Sequence, residues 1–205
     1  MKNMMLIISI IIGYCFANTG ILADKNYSAF GIWANVSRTI DCDDCEETKE
    51  VSLDYMTKVG LEIGLNAGQV GDIDIAGAHL SYHFKSNSLY QKGTNFYIGY
   101  AMEELSLEDQ DEPYAEKTTL SLGVYSNKKS YFEISQESSS VDFMGDELDF
   151  ETEFVKFGGI IRFGQKAGFN IGYKIDVDVL DAMFEEEDFE LLKNGTLELS
   201  IGGNF

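Results

Sequence analysis

The stretch Leu197–Phe205, LELSIGGNF, sets Leu197, Leu199, Ile201, Gly203 and Phe205 in alternation with Glu198, Ser200, Gly202 and Asn204. Residues two apart on a strand share a face, so the stretch predicts a ribbon with one greasy side and one polar side. The pattern recurs upstream in Ala76/Ala78/Leu80/Tyr82/Phe84, Phe96/Ile98/Tyr100/Met102, Thr118/Leu120/Leu122/Val124, Val155/Phe157/Gly159/Ile161/Phe163 and Phe169/Ile171/Tyr173/Ile175/Val177. Between these residues lie glycines and polar groups such as His79, Ser81, His83, Lys156, Arg162 and Lys174. A narrow, Gly-rich polar face opposite a broad apolar one is the inverse of a soluble core and the pattern of strands that face lipid.

Ending on Phe205, with Leu197, Leu199 and Ile201 before it, the segment resembles the C-terminal strand of Gram-negative outer-membrane β-barrels, the small porin-like or opacity-type proteins. The resemblance implies an antiparallel up-and-down barrel, and a terminal aromatic and aliphatic positions read by the barrel-assembly machinery. It also implies outer-membrane lipid and lipopolysaccharide as surroundings. The other end agrees. Lys2, an uncharged run from Met4 to Phe16, and small residues at Ala17 and Ala23 read as a secretory signal peptide over residues 1–23, cut after Ala17 or Ala23. That leaves residues 24–205 as one barrel domain.

Composition narrows the function classes. A formal net charge of −20, from 35 acidic and 15 basic residues, repels a nucleic-acid backbone, so no nucleic-acid partner is expected. Fourteen Phe, 11 Tyr and 20 Gly with one Pro describe an ordered β-rich chain rather than an acidic disordered one. The connections divide by charge. Ser126–Lys129, Gly164–Gly168 and Lys85–Gly93 are hydrophilic and basic, as periplasmic turns; Asp41–Glu47, Glu103–Glu116, Val141–Asp149 and Asp181–Glu190 are acidic, as external loops. Asn26–Arg38 reads as a first strand, whereas Val51–Leu65 alternates without a break. Because a single-chain bacterial barrel has an even strand number, the run is split near Met56–Lys58, although no Gly, Pro or Asn falls there. This gives ten strands, with eight and an N-terminal extension as the alternative.

Candidate chemistry is sparse. His79-Leu80-Ser81 resembles the His-x-Ser pair of outer-membrane lipid A deacylases, which implies a base beside a nucleophile. Tyr82 stands where that family has Asn, and the pair falls near the periplasmic half, so lumen filling is the reading adopted. The omptin protease pattern, acids with a His at the outer rim, has no counterpart, since neither His lies near an acidic loop. Cys42-Asp43-Asp44-Cys45 lacks the second ligand pair of a zinc site, and its acidic neighbours raise rather than lower a thiol pKa, so a disulfide staple is expected. Asp72–Gly77 lacks EF-hand spacing. No catalytic residue, metal or cofactor is therefore assigned. Glu62, His79, His83, Glu133, Glu137, Lys156, Arg162, Lys174 and Glu198 are expected to pair as a charge network inside the lumen. Small barrels are filled by their side chains, which points to a monomeric structural or adhesive surface protein whose acidic loops meet a ligand, with a lipid-modifying enzyme or a narrow channel as alternatives.

Overall fold

A computed structural model describes residues 29–40, 42, 45–84, 94–107, 113–126, 129–143, 146–163, 167–179 and 195–205; the expected signal peptide and the acidic stretch 181–190 lie outside them. The strands are β1 (Ala29–Thr39), β2 (Thr48–Met56), β3 (Leu61–Val70), β4 (Ile73–His83), β5 (Thr94–Leu107), β6 (Ala115–Ser126), β7 (Ser130–Phe143), β8 (Asp146–Phe163), β9 (Ala167–Asp176) and β10 (Thr196–Asn204). Each pairs antiparallel with its sequence neighbours, and β1 pairs with β10 to close the barrel. At the seam Phe205 and Phe30 exchange backbone hydrogen bonds of 2.7 and 3.3 Å, so the pairing continues one residue past β10.

The ten strands expected from the alternation are present, but the dividing turn sits later than Met56–Lys58. Thr57 donates its amide to Leu61 and accepts from Gly60, which has φ of +99°. This is a three-residue loop with a left-handed glycine. The Thr57 hydroxyl caps it with 3.0 Å bonds to both the amide and the carbonyl of Leu61. Thr57 pairs opposite Leu61, so an odd number of residues intervenes and the in–out phase of β2 carries straight into β3, hiding the turn from a periodicity reading. The next turn, Gly71–Asp72, has two residues and a left-handed Gly71, and it shifts the phase.

Two of the expected acidic connections, Glu103–Glu116 and Val141–Asp149, are shorter than the composition implied. β5 runs to Leu107 and β6 begins at Ala115, so half of the expected loop Glu103–Glu116 is paired strand; in Val141–Asp149, β7 runs to Phe143 and β8 begins at Asp146, so most of that stretch is paired strand too. These strands continue beyond the apolar band.

Following paired residues from Thr39 through Thr196, Lys174, Lys156, Glu133, Gly123, Tyr97 and His83, and continuing the registers of β3 and β2, returns to β1 about 12 residues below the start. Ten strands with that stagger tilt by about 40° and enclose a tube of about 10 Å radius to the backbone.

The exterior carries the rows anticipated from sequence: Leu65 is 61% exposed, Leu122 57% and Ile201 58%. The band ends at an outward polar ring toward the acidic end, with Lys49, Gln69, Asp74, Glu104, Glu116, Gln136 and Glu153 facing out. Above that ring polarity inverts, because Val70, Ile75, Leu105 and Ala115 are buried inside. The strands there follow the rule of a soluble protein, while within the band they follow that of a membrane one. In the outward row of β9, Tyr173 and Ile175 depart from the expectation and are buried; the Tyr173 ring lies 5.4 Å from that of Phe157.

Candidate functional site: the barrel interior

Inward positions hold the chemistry of this chain. Seven carboxylates (Glu50, Asp54, Glu62, Glu103, Glu133, Glu137, Glu198), three lysines (Lys117, Lys156, Lys174) and both histidines are buried among the described residues. Unpaired charges in such surroundings cost several kcal/mol each, so the arrangement of partners determines whether the interior holds.

Lys156 on β8 reaches Glu198 on β10, across β9, at 2.5 Å, and Lys174 pairs with Glu137. Lys174 also lies 3.8 Å over the Phe154 ring. Glu133 accepts a hydrogen bond from the Tyr97 hydroxyl, and Glu62 lies 2.8 Å from His83. The sequence had grouped all of these residues except the two aromatics. Arg162, placed in the same network, lies on the inward row of β8 but is only half-buried.

A second cluster was missed. Glu103, expected in an external loop, points inward and pairs with Lys117. The Asn66 amide donates to Glu50 at 3.1 Å and to Glu103 at 3.4 Å. Position two after Ala101, on the inward row, was the available signal, overridden by the acidic composition of the stretch.

Inward glycines are the crossing points of this network. Gly123 on β6 lies between Tyr97 on β5 and Glu133 on β7, and a Cβ there would fall 2.1 Å from the Tyr97 ring. The bare backbone lets the tyrosine reach over one strand to the acid on the next. Gly158 and Gly172 do the same for Tyr131, whose hydroxyl lies 2.6 Å from either missing Cβ, and Gly202 underlies Trp33. The resulting cluster of Trp33, Tyr97, Tyr125 and Tyr131, with Ala101 and Ile160, fills the tube toward the end where Phe30 and Phe205 meet, and Val70, Ile73 and Ile75 pack inside toward the acidic end.

The His-x-Ser pair faces this interior: His79 and Ser81 are both buried on β4, and Glu62 pairs opposite Ser81. A hydroxyl enclosed there has no path to a lipid on the outer wall. At the acidic end Cys42 and Cys45 form a disulfide, with an Arg38–Glu47 ion pair of 3.7 Å close by. That pair is exposed and contributes at most ~1 kcal/mol.

No family model matches the chain, and no curated protein matches it. Among solved structures it is similar to the N-terminal β-barrel domain of Pseudomonas aeruginosa OprF, at 12% identity and a TM-score of 0.38 over 86% of this chain and 97% of that one. It is similar also to Ail, the attachment invasion locus protein of Yersinia pestis, at 10% identity and a TM-score of 0.25, covering 87% and 97%. Neisserial surface protein A matches at 12% and 0.25, covering 86% and 94%. At such values the fold rests on the chain's own register: an all-antiparallel barrel of ten strands, apolar outside and polar within.

Proposed function

We propose that this chain is a monomeric, non-enzymatic barrel of the bacterial outer membrane that presents acidic loops at the cell surface in a structural or adhesive role. The observation that carries the reading is the inverted barrel. An exterior of exposed Leu, Ile, Phe and Tyr suits hydrocarbon, and an interior of paired charges and stacked aromatics leaves little room for diffusion. A filled tube of ten strands serves as an anchor, which leaves the connections at the acidic end as the part in contact with the surroundings. Lipopolysaccharide and outer-membrane lipid would surround the band, and the barrel-assembly machinery would insert it.

The experiment is expression in a Gram-negative host with deletion of residues 108–113 or of 181–190, chosen to leave the strand pairs and Glu103 intact. Adherence of the expressing cells to host-cell monolayers should fall to the empty-vector level while the heat-modifiable folded band persists. Adherence unchanged by both deletions would remove the adhesive reading.

A further inference from the structure

Two interior carboxylates, Asp54 and Glu62, face histidines. Asp54 on β2 and His79 on β4 both pair opposite Gly64 on the intervening β3, and they meet across it with Nε2 3.5 Å from Oδ1. Gly64 makes the meeting possible: a Cβ there would fall 2.1 Å from His79 Cε1 and 2.5 Å from Asp54 Oδ1. Glu62, two residues earlier on the same inward row of β3, brings its carboxylate into the group, so one donor atom from each of Asp54, Glu62 and His79 lies within 4.8 Å of the others.

We propose that Asp54, Glu62 and His79 bind one divalent transition-metal ion of the zinc type. Imidazole and carboxylate together suit zinc and its neighbours, whereas Mg²⁺ and Ca²⁺ take oxygen shells. Donors bound at about 2.1 Å in a tetrahedron stand about 3.4 Å apart, which the His79–Asp54 separation of 3.5 Å already meets. Glu62 closes the set by a small side-chain adjustment, and water takes the fourth place. Charge favours the ion, since a dication beside two carboxylates and a neutral imidazole is balanced in an interior where carboxylates outnumber lysines. His83 Nε2, 2.8 Å from Glu62 Oε2, is the positioning residue that orients the ligand carboxylate. All four side chains are at least nine-tenths buried, so the shell is shielded from bulk solvent.

The test uses the folded full-length barrel in detergent, stripped with chelator and titrated with Zn²⁺ in millimolar Mg²⁺ to occupy surface carboxylates. The proposal expects one tight zinc per chain by elemental analysis. It expects affinity lowered at least about 100-fold in His79→Gln and Asp54→Asn, and about 10- to 100-fold in His83→Gln. Gly64→Ala should also abolish binding by filling the cradle. Heat-modifiable migration reports that each variant folds. X-ray absorption at the zinc edge of the wild-type protein needs no variant and should show one imidazole among oxygen ligands. An all-oxygen shell, or zinc retained undiminished in folded His79→Gln, would place the ion on the acidic loops and overturn the proposal, as would a wild-type barrel that holds no zinc.

Discussion

Replacing Gly123 with Ala tests whether inward glycines carry the interior network. The added methyl would sit 2.1 Å from the ring of Tyr97, which is wholly buried, so the tyrosine must leave its place. Overpacking of this kind costs about 1–3 kcal/mol. Moving the ring also withdraws the hydroxyl from Glu133, and a hydrogen bond to a buried charged acceptor is worth about 1.5–3 kcal/mol. Against these stands about 0.5–1 kcal/mol gained by removing a glycine from a strand. The net is a loss of about 2–5 kcal/mol. Trp33 is the only tryptophan in the chain and belongs to the same buried cluster, so its fluorescence follows urea unfolding of the barrel in vesicles without any label. The control is Gly159→Ala, on the outward row of β8, where the nearest atom to the new methyl is the Lys129 carbonyl oxygen at 3.2 Å. It should stay within about 1 kcal/mol of the parent. Should Gly123→Ala unfold at the parental urea concentration, Tyr97 would not depend on the bare backbone and the crossing-point argument would fail.

Other expectations follow from the same geometry. Lys156→Met leaves Glu198 buried without its lysine and should cost about 3–5 kcal/mol in the urea assay, while Lys156→Met with Glu198→Leu should recover most of it; equal losses in the single and double variants would contradict the pairing. Leu122→Arg, in the middle of the outward band, should destabilise by about 2–4 kcal/mol, and Gln136→Arg, on the polar ring, by no more than about 1. The purified barrel should be electrically silent in planar bilayers, since aromatics and ion pairs fill the tube; stepwise conductance would restore the channel reading.

The architecture was legible because lipid imposes a two-residue period on each strand, and ten such segments survive in the chain. The β2–β3 turn was hidden because a loop of odd length preserves phase, and Gly60 stands just beyond the point where the break was sought. The outer cluster escaped for a different reason. Charge density made Glu103 look like loop, yet the strand continues past the band, and its parity sends Glu103 inward to Lys117 and Glu104 out to water. Which inward residues touch was beyond the pattern altogether. Pairings such as Lys156 with Glu198 or Asp54 with His79 skip a strand, and they depend on barrel closure, stagger and the glycine between.

The account stands on hydrocarbon touching the outward rows. Nitroxide labels placed singly at positions 96 to 106 of β5 in lipid vesicles read this through collision with oxygen, which concentrates in lipid, and with a water-soluble nickel chelate. Oxygen accessibility should be high at 96, 98, 100 and 102 and low at the alternate positions, and at 104 the nickel chelate should take over. High chelate accessibility along 96–102, or no two-residue period, would contradict the inverted barrel.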